Sequence, residues 1–221
     1  MKIVVMKYGE ALYSEKRIFS DVTTDGDIPM SFCFYLIQTQ GKNILVDVGC
    51  DGEEHYKCYV FKHPVALVKE YGLEPEDITD IIITHSHYDH VDLIGCYPNA
   101  LIHVQREEYE ARCWKYPHKK ENVRIFDVGY TICEGVRVQK YGGHSIGSSI
   151  VYAGETLLVG DECYFPEHFE RVVRVGNSNY PERSQAFVKE FAPSYHKKLF
   201  FHDNKIMPKA VGFETVYETE E

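Results

Sequence analysis

The sequence is poor in positive charge and has no long hydrophobic run. Its 24 lysines and arginines are outnumbered by 34 aspartates and glutamates, which gives a formal net charge of −10. This acidic balance argues against nucleic acid or an anionic membrane as a standing partner. No stretch approaches the roughly 20 consecutive apolar residues of a membrane-spanning helix. We therefore expect a protein that acts on a small molecule and has neither a nucleic-acid nor a membrane partner.

Cysteine pairs of the kind used in zinc ribbons and redox dithiols are also absent. The seven cysteines include no C-x-x-C spacing, so neither kind of site is indicated. The apolar run at residues 1–5 is too short for the apolar region of a secretion signal. The expected location is the cytoplasm, where thiols stay reduced.

The length and the hydrophobic pattern predict a single domain over residues 1–221. Hydrophobic residues make up 44% of the chain, which is ordinary for a globular protein. The sequence is also compatible with a homodimer. The strand patterns come in antiparallel-looking pairs with helices between them. This favours two sheets with helices packed outside over a doubly wound parallel sheet. We predict strands at residues 2–6, 30–39, 43–48, 81–84, 101–104, 124–128, 135–140, 149–153, 156–159 and 198–201, and helices at residues 64–71, 107–114 and 183–191.

The most informative stretch follows the predicted strand at residues 81–84. His85, His87, Asp89 and His90 fall within six residues. Imidazole nitrogens and carboxylate oxygens are ligands that zinc and similar metals accept. Three imidazoles this close repel one another when protonated and need a reason to coexist. The cluster therefore predicts a metal site at the end of the strand.

This H-x-H-x-D-H motif resembles the metal-binding signature of the metallo-β-lactamase fold superfamily. That family takes further ligands from later strand ends, and the chain offers His144 after a glycine pair, Asp161 and His202 in the expected order. The resemblance implies an α+β fold, an αβ/βα four-layer sandwich of two mixed sheets with helices on the outer faces. It also implies two metal ions, the first held by His85, His87 and His144, the second by Asp89, His90 and His202, with Asp161 bridging them.

Five imidazoles and two carboxylates leave two divalent cations under-neutralised, which favours a bridging hydroxide. Metal binding lowers the pKa of water toward neutrality and so makes a nucleophile at pH 7. Zinc is the expected metal, with iron, manganese and cobalt as alternatives. Asp47, in a strand followed by an Asp-x-Gly turn, is a candidate to orient a ligand histidine from behind. Its alternative is a purely turn-forming role before Gly49.

Within the superfamily, the chain is similar to the N-acyl homoserine lactonases. Tyr164 stands three residues after Asp161, as in that family, and residues 100–111 look like its strand and helix. The resemblance implies a hydroxide attack on a lactone carbonyl, with Tyr164 stabilising the oxyanion and Asp89 carrying a proton to the leaving alkoxide. The chain departs from the family pattern at four positions, Val91, Asp92, Ser148 and Phe201.

Two other activities of the same fold stay open from the sequence. One is a thioester hydrolase of the glyoxalase II type, and the other is a di-iron redox protein. Four aromatic residues are candidates either for an acyl pocket or for ordinary packing: Tyr56, Tyr59, Phe61 and Trp114. The remaining histidines match no ligand position and are expected to be surface or packed residues: His55, His63, His103, His118, His168 and His196.

Overall fold

The computed structural model describes residues 1–52, 56–111, 119–194, 196–206 and 208–219. In these residues, eight strands form the larger sheet in the order β13-β1-β2-β3-β5-β6-β7, with β4 pairing against β1. Strand β3 runs parallel to β5, and β5, β6 and β7 are parallel in turn, whereas β1 pairs antiparallel with β2 and β13. The strands are β1 (Lys2–Ser14), β2 (Asp27–Thr39), β3 (Lys42–Val46), β4 (Val60–Phe61), β5 (Asp80–Ile82), β6 (Leu101–Gln105), β7 (Val123–Phe126) and β13 (Gly212–Glu218).

The smaller sheet has the order β12-β11-β10-β9-β8 in the same part of the chain. Its strands pair antiparallel from β8 to β11, and β12 joins parallel to β11. Both sheets are therefore mixed. The strands are β8 (Gly129–Cys133), β9 (Val136–Lys140), β10 (Ser149–Ala153), β11 (Thr156–Leu158) and β12 (Lys197–Leu199).

The α-helices are short and lie between the strands. Helix α2 begins at Pro64 and ends before Gly72, which takes a left-handed φ of 101° as its C-cap, a conformation that favours glycine. Within the described residues there is no helix with the length and apolar character that a membrane crossing requires. The helices are α1 (Glu15–Ile18), α2 (Pro64–Tyr71), α3 (Tyr88–Val91), α4 (Arg106–Ala111), α5 (Glu167–Arg171) and α6 (Pro181–Phe191).

Side-chain alternation along the strands divides the buried residues into layers. In β1, Val4 and Met6 pack on the same side as Leu67 and Val68 of α2. Ile3 and Val5 point the other way, toward the smaller sheet. On the far side of that sheet, β10 and β11 pack against Phe187 and other residues of α6. A strand directs alternate side chains to opposite faces, so each sheet packs against the other sheet on one face and against helices on its other face. These layers form the four-layer αβ/βα sandwich that the resemblance implied.

Most predicted elements are present with shifted ends, and three strands were not predicted: the two-residue β4, β8 and β13. Strand β1 continues to Ser14 rather than residue 6, because its polar residues pair with the long β2 instead of ending the strand. Strands β8 and β13 were missed because their residues are mostly half-buried or exposed and lack a strong apolar pattern. Residues 112–114 of the predicted helix 107–114 lie outside the described residues.

The topology gathers the ends of four strands at one edge of the sandwich. Parallel strands β3 and β5 end just before Asp47 and the His85–His90 segment. In the smaller sheet, parallel β11 and β12 end just before Asp161 and His202. Since the carboxyl ends of parallel strands meet at the same edge of a sheet, residues distant in sequence meet there.

Candidate metal centre

All seven residues that the sequence singled out as ligands come together at this edge. They form two groups whose possible ligand atoms lie within 4.8 Å of one another in each group. We call His85, His87 and His144 the three-histidine half, and Asp89, His90 and His202 the aspartate half. Asp161 lies with the first group.

The Asp161 carboxylate faces both halves with different oxygens. Its Oδ2 atom is 3.4 Å from Nε2 of His85 and 3.4 Å from Nε2 of His144. Its Oδ1 atom is 3.3 Å from Nε2 of His90 and 3.2 Å from Nε2 of His202. One carboxylate therefore offers one oxygen to each half, which is the arrangement that a bridging ligand requires.

The spacing of the donor atoms fits a cation in each half. In the three-histidine half, Nδ1 of His87 is 2.9 Å from Nε2 of His85 and 3.1 Å from Nε2 of His144. In the aspartate half, Oδ2 of Asp89 is 3.5 Å from Nε2 of both His90 and His202. Ligands about 2.1 Å from a tetrahedral metal lie roughly 3.4 Å apart.

Two buried polar atoms give a second sign of the same fit. His90 Nε2 and Asp161 Oδ1 make no hydrogen bond with any described residue. Buried polar atoms are rarely left without a partner because their desolvation is costly. Coordination of a cation would satisfy both atoms, so the donor set suits a metal in its chemistry as well as its spacing.

The charge states of the site also suit cations. Burial lowers the pKa of His85 and brings the pKa of His144 to about 4, so these rings are neutral, the form that binds metal. Burial opposes ionisation of Asp161, but His202 and other nearby imidazoles hold its pKa well below the usual range. In the aspartate half, burial opposes the charged rings, but Asp161 and Asp89 raise the pKa of His90 and His202, so a cation bound there would displace protons from these rings.

The rings of the aspartate half are oriented directly by hydrogen bonds. Nδ1 of His90 is 2.7 Å from Oδ2 of Asp47, and Nδ1 of His202 is 2.9 Å from the carbonyl oxygen of Ser31. Asp47 also accepts hydrogen bonds from the backbone N–H and the hydroxyl of Thr84. Asp47 therefore orients a ligand histidine from behind, in the position that the sequence suggested.

In the three-histidine half, the Thr84 hydroxyl lies 3.2 Å from Nδ1 of His85, and buried carboxylates hold the loops. Glu108 accepts hydrogen bonds from the backbone N–H and hydroxyl of Ser86, at 2.9 and 2.7 Å. It also accepts from the Ser145 hydroxyl at 2.6 Å and the Gly147 N–H at 2.9 Å. One side chain thus ties the loop that carries His85 and His87 to the loop that carries His144.

Glu162 holds the second of these loops from the other side. Its Oε1 atom accepts hydrogen bonds from the backbone N–H groups of Gly143 and His144 and from the Ser148 hydroxyl. A Cβ atom on Gly143 would lie 2.2 Å from Oε2 of Glu162, so this packing requires glycine. Burial raises the pKa of Glu162 to about 7. Sequence reasoning noticed Ser148 only as a departure from the family pattern, and it missed Glu108 and Glu162.

The Tyr164 ring packs beside one histidine of each half. It is 4% exposed, and its ring centroid is 4.9 Å from that of His202 and 6.0 Å from that of His144. Among the other aromatic candidates, Tyr56 contacts Asp89 and Phe61 packs against Tyr8. Tyr59 is exposed, and Trp114 lies outside the described residues.

The other described histidines lie outside the two ligand groups. His103 is buried between Asp80 and Tyr130. His168 is buried with its Nδ1 atom 2.8 Å from the Val173 carbonyl. His63 caps the start of α2, and the His196 ring packs against Tyr152. His55 and His118 lie outside the described residues.

Comparison with known proteins gives N-acyl homoserine lactonases that align along nearly the whole chain. The chain is similar to an N-acyl homoserine lactonase of Bacillus thuringiensis, with 28% identity over 233 residues, covering 91% of this chain and 93% of the relative. A solved quorum-quenching N-acyl homoserine lactone lactonase superposes with a TM-score of 0.81 at 26% identity, covering 96% of this chain and 95% of the other.

A second solved structure is an N-acyl homoserine lactone hydrolase with N-hexanoyl-L-homoserine bound at its catalytic metal centre. It has a TM-score of 0.79 and 25% identity and covers 97% of this chain and 98% of the other. Residues 34–176 match the model of the metallo-beta-lactamase superfamily. With the four-layer fold and the two ligand groups, this match shows that the chain belongs to the metallo-β-lactamase superfamily.

Proposed function

We propose that this chain is a dinuclear metal-dependent hydrolase that opens the ring of a lactone, with N-acyl homoserine lactones as the first substrates to test. The observation that carries the proposal is the Asp161 carboxylate, whose two oxygens face two separate ligand groups. A single domain over residues 1–221 would hold the whole site. The relatives named above act on lactones, which does not favour a thioester hydrolase or a di-iron redox protein.

The proposed ligand assignment follows the two halves. His85, His87 and His144 would hold one divalent ion, and Asp89, His90 and His202 would hold the other. Asp161 would bridge them. The donor distances and the two orphaned buried atoms support this assignment. Zinc is the first metal to test, and iron, manganese and cobalt accept the same nitrogen and oxygen donors.

The residues of the chain have separate tasks in ring opening. Two divalent ions bound there would supply an activated water and Lewis acidity toward a carbonyl at neutral pH. The Tyr164 hydroxyl would donate a hydrogen bond to the lactone carbonyl oxygen as negative charge develops on it. When the ring C–O bond breaks, Asp89 would pass a proton to the departing alkoxide, which leaves a carboxylate and a free hydroxyl as the product.

The proposal also covers the setting of the enzyme. No disulfide joins the described cysteines, which supports a reducing compartment and hence the cytoplasm. Light scattering on the purified protein would determine whether the active species is a monomer or a homodimer.

Metal content and hydrolysis measured on the same preparation test the function. Elemental analysis is combined with assays on N-acyl homoserine lactones of several chain lengths, simple γ-lactones, a thioester and a chromogenic β-lactam. We expect two metal ions per chain and turnover of lactones only. Thioester turnover without lactone turnover would replace the substrate class, two irons with oxygen uptake would favour redox chemistry, and fewer than two metals in a fully metallated preparation would overturn the ligand assignment.

The role of Tyr164 is tested separately with Tyr164→Phe, which keeps the ring and removes the hydroxyl. The expected result is a lower kcat with little change in metal content, because the hydroxyl would act on the carbonyl oxygen during reaction. Unchanged turnover of every lactone substrate would remove Tyr164 from the mechanism.

A further inference from the structure

Asp89 uses its two carboxylate oxygens for different contacts. The Tyr56 hydroxyl donates a hydrogen bond to Oδ1 at 2.8 Å. The other oxygen, Oδ2, faces the aspartate half, 3.5 Å from Nε2 of both His90 and His202. Because a tyrosine hydroxyl is protonated at neutral pH, with an ordinary pKa of about 10, it acts as the donor in this bond. Oδ1 is thereby bound to the phenol while Oδ2 faces the two histidines.

Aromatic packing holds Tyr56 in this orientation. Its ring centroid is 4.7 Å from that of Phe32, and the Phe32 ring in turn meets the His202 ring edge-on at 5.3 Å. Tyr8 holds the same aspartate by its backbone, since its hydroxyl donates to the Asp89 carbonyl at 3.0 Å. The backbone and the side chain of Asp89 are thus fixed by tyrosines from two different segments.

The sequence offered two roles for Tyr56, an acyl-pocket wall or ordinary packing, and the hydrogen bond gives it a third. We propose that Tyr56 is a positioning residue that holds Asp89 with Oδ2 toward the metal of the aspartate half; this rests on the proposed function. Without the phenol, the carboxylate could rotate away from this orientation. With Oδ1 bound to the phenol, Oδ2 alone is directed at the cation beside His90 and His202.

Calorimetric titration of the metal-free protein with zinc tests the inference, using Tyr56→Phe and the matched control Tyr59→Phe. Phenylalanine keeps the ring packing and removes only the hydroxyl. Tyr59 lies three residues along the same segment and is 54% exposed. We expect Tyr56→Phe to weaken one of the two zinc-binding events by about 10–100-fold, as loss of a partner behind a metal ligand typically does. The other event and the Tyr59→Phe protein should stay within about twofold of wild type.

The weakened event is assigned with His202→Gln, which removes a ligand of the aspartate half only. The event lost in His202→Gln should be the one weakened in Tyr56→Phe. Equal weakening of both events, or of neither, would overturn the proposal. The thermal midpoint of the metal-free Tyr56→Phe protein should match that of Tyr59→Phe, because the role concerns metal geometry rather than folding.

A double-mutant cycle covers the case in which Tyr56→Phe also lowers stability. If Tyr56 acts through Asp89, adding Tyr56→Phe to Asp89→Asn should change zinc affinity by less than about twofold. A further loss as large as in the wild-type background would show that Tyr56 acts by another route. Failure here leaves wild-type metal content and lactone turnover untouched, whereas failure of the proposed function appears in the wild-type protein itself.

Discussion

The two halves of the metal centre are organised in different ways. In the aspartate half, ring nitrogens that face away from the site bind Asp47 and the Ser31 carbonyl, so the rings themselves are oriented. In the three-histidine half, Glu108 and Glu162 bind backbone and hydroxyl groups of the loops. Nδ1 of His144 makes no hydrogen bond with any described residue. The protein thus orients both rings of the aspartate half directly, whereas in the other half the Thr84 hydroxyl contacts His85 and the His144 ring is held only through its loop.

This difference has a consequence for metal binding. A ligand ring that is already oriented loses little freedom when a metal binds, whereas a ring fixed only through its loop has more to lose. We therefore expect the aspartate half to be close to its metal-bound geometry before loading. The geometry of the three-histidine half should depend more on the metal and on the two buried glutamates. The following changes test this comparison.

The largest effect is expected from Asp161→Asn, because Asp161 is the one residue that serves both halves. Replacing the charged bridge should lower metal content from two ions to one or none. Lactone hydrolysis should fall by well over the roughly 100-fold cost of losing a partner behind a ligand. Asp127→Asn, at a carboxylate that is 65% exposed, is the control. Retention of two tightly bound metals in Asp161→Asn would contradict the bridging role.

Glu108→Gln should affect the three-histidine half and the fold together. The amide cannot accept all four hydrogen bonds that the carboxylate accepts, and buried donors would lose their partner. We expect the free energy of unfolding to fall by about 3 kcal/mol and zinc affinity to fall in that half. Glu107→Gln, at the neighbouring half-exposed carboxylate that pairs with Lys140, should change both quantities little. Denaturant unfolding and calorimetry give the two values.

Asp47→Asn should affect the aspartate half more than the other half, because Asp47 contacts His90 directly and His85 only through Thr84. Asparagine tolerates the left-handed φ of 62° at this position, so the backbone is preserved while the charge behind His90 is lost. Zinc affinity in the aspartate half should fall by about 10–100-fold. An equal fall in the three-histidine half, measured by the same titration, would show that the two halves are not supported independently.

The smallest effect is expected from His168, whose protonation should change the free energy of unfolding at acid pH without involving a candidate metal ligand. His168 lies outside both halves, and burial lowers its pKa to about 4. The ordinary pKa is about 6.5, so the unfolded chain takes up a proton between these values while the folded protein does not. Its contribution to stability is therefore present at neutral pH and is lost as the pH falls.

His168→Asn, which keeps a donor for the Val173 carbonyl, should remove this dependence. Between pH 7.5 and pH 5.5 the wild type should lose about 1 kcal/mol more unfolding free energy than the variant. His63→Asn, at a partly exposed ring at the start of α2, is the control and should follow the wild type. Identical pH dependence in all three proteins would show that the His168 ring does not limit acid stability.

The members of the two candidate ligand groups could be predicted because their signal is local. His85, His87, Asp89 and His90 lie within one turn, and each later ligand follows a recognisable strand end or glycine pair. The four-layer fold came from the same resemblance. Among the residues that support these groups, Asp47 could be predicted, but Glu108 could not, because it joins loops that lie 22 and 37 residues from it along the chain, at Ser86 and Ser145. No pattern in the sequence reports such a contact.

Tyr56 shows the same limit on a smaller scale. Its aromatic neighbours in sequence suggested an apolar wall, but its hydroxyl binds an aspartate 33 residues away. Strand β13, which the sequence did not predict, pairs with β1 although the two strands lie near opposite ends of the sequence. In each case the deciding interaction is long-range, and the local residues are compatible with more than one structure.

The packing around Gly143 makes three positions change as a set. Glu162 fills the space beside Gly143, and Ser148 donates to the same carboxylate. A larger side chain at this point, as in Ser148→His, would place a ring against a carboxylate that already occupies the space. An exchange of this loop between relatives should therefore change Gly143, Ser148 and Glu162 together rather than one at a time.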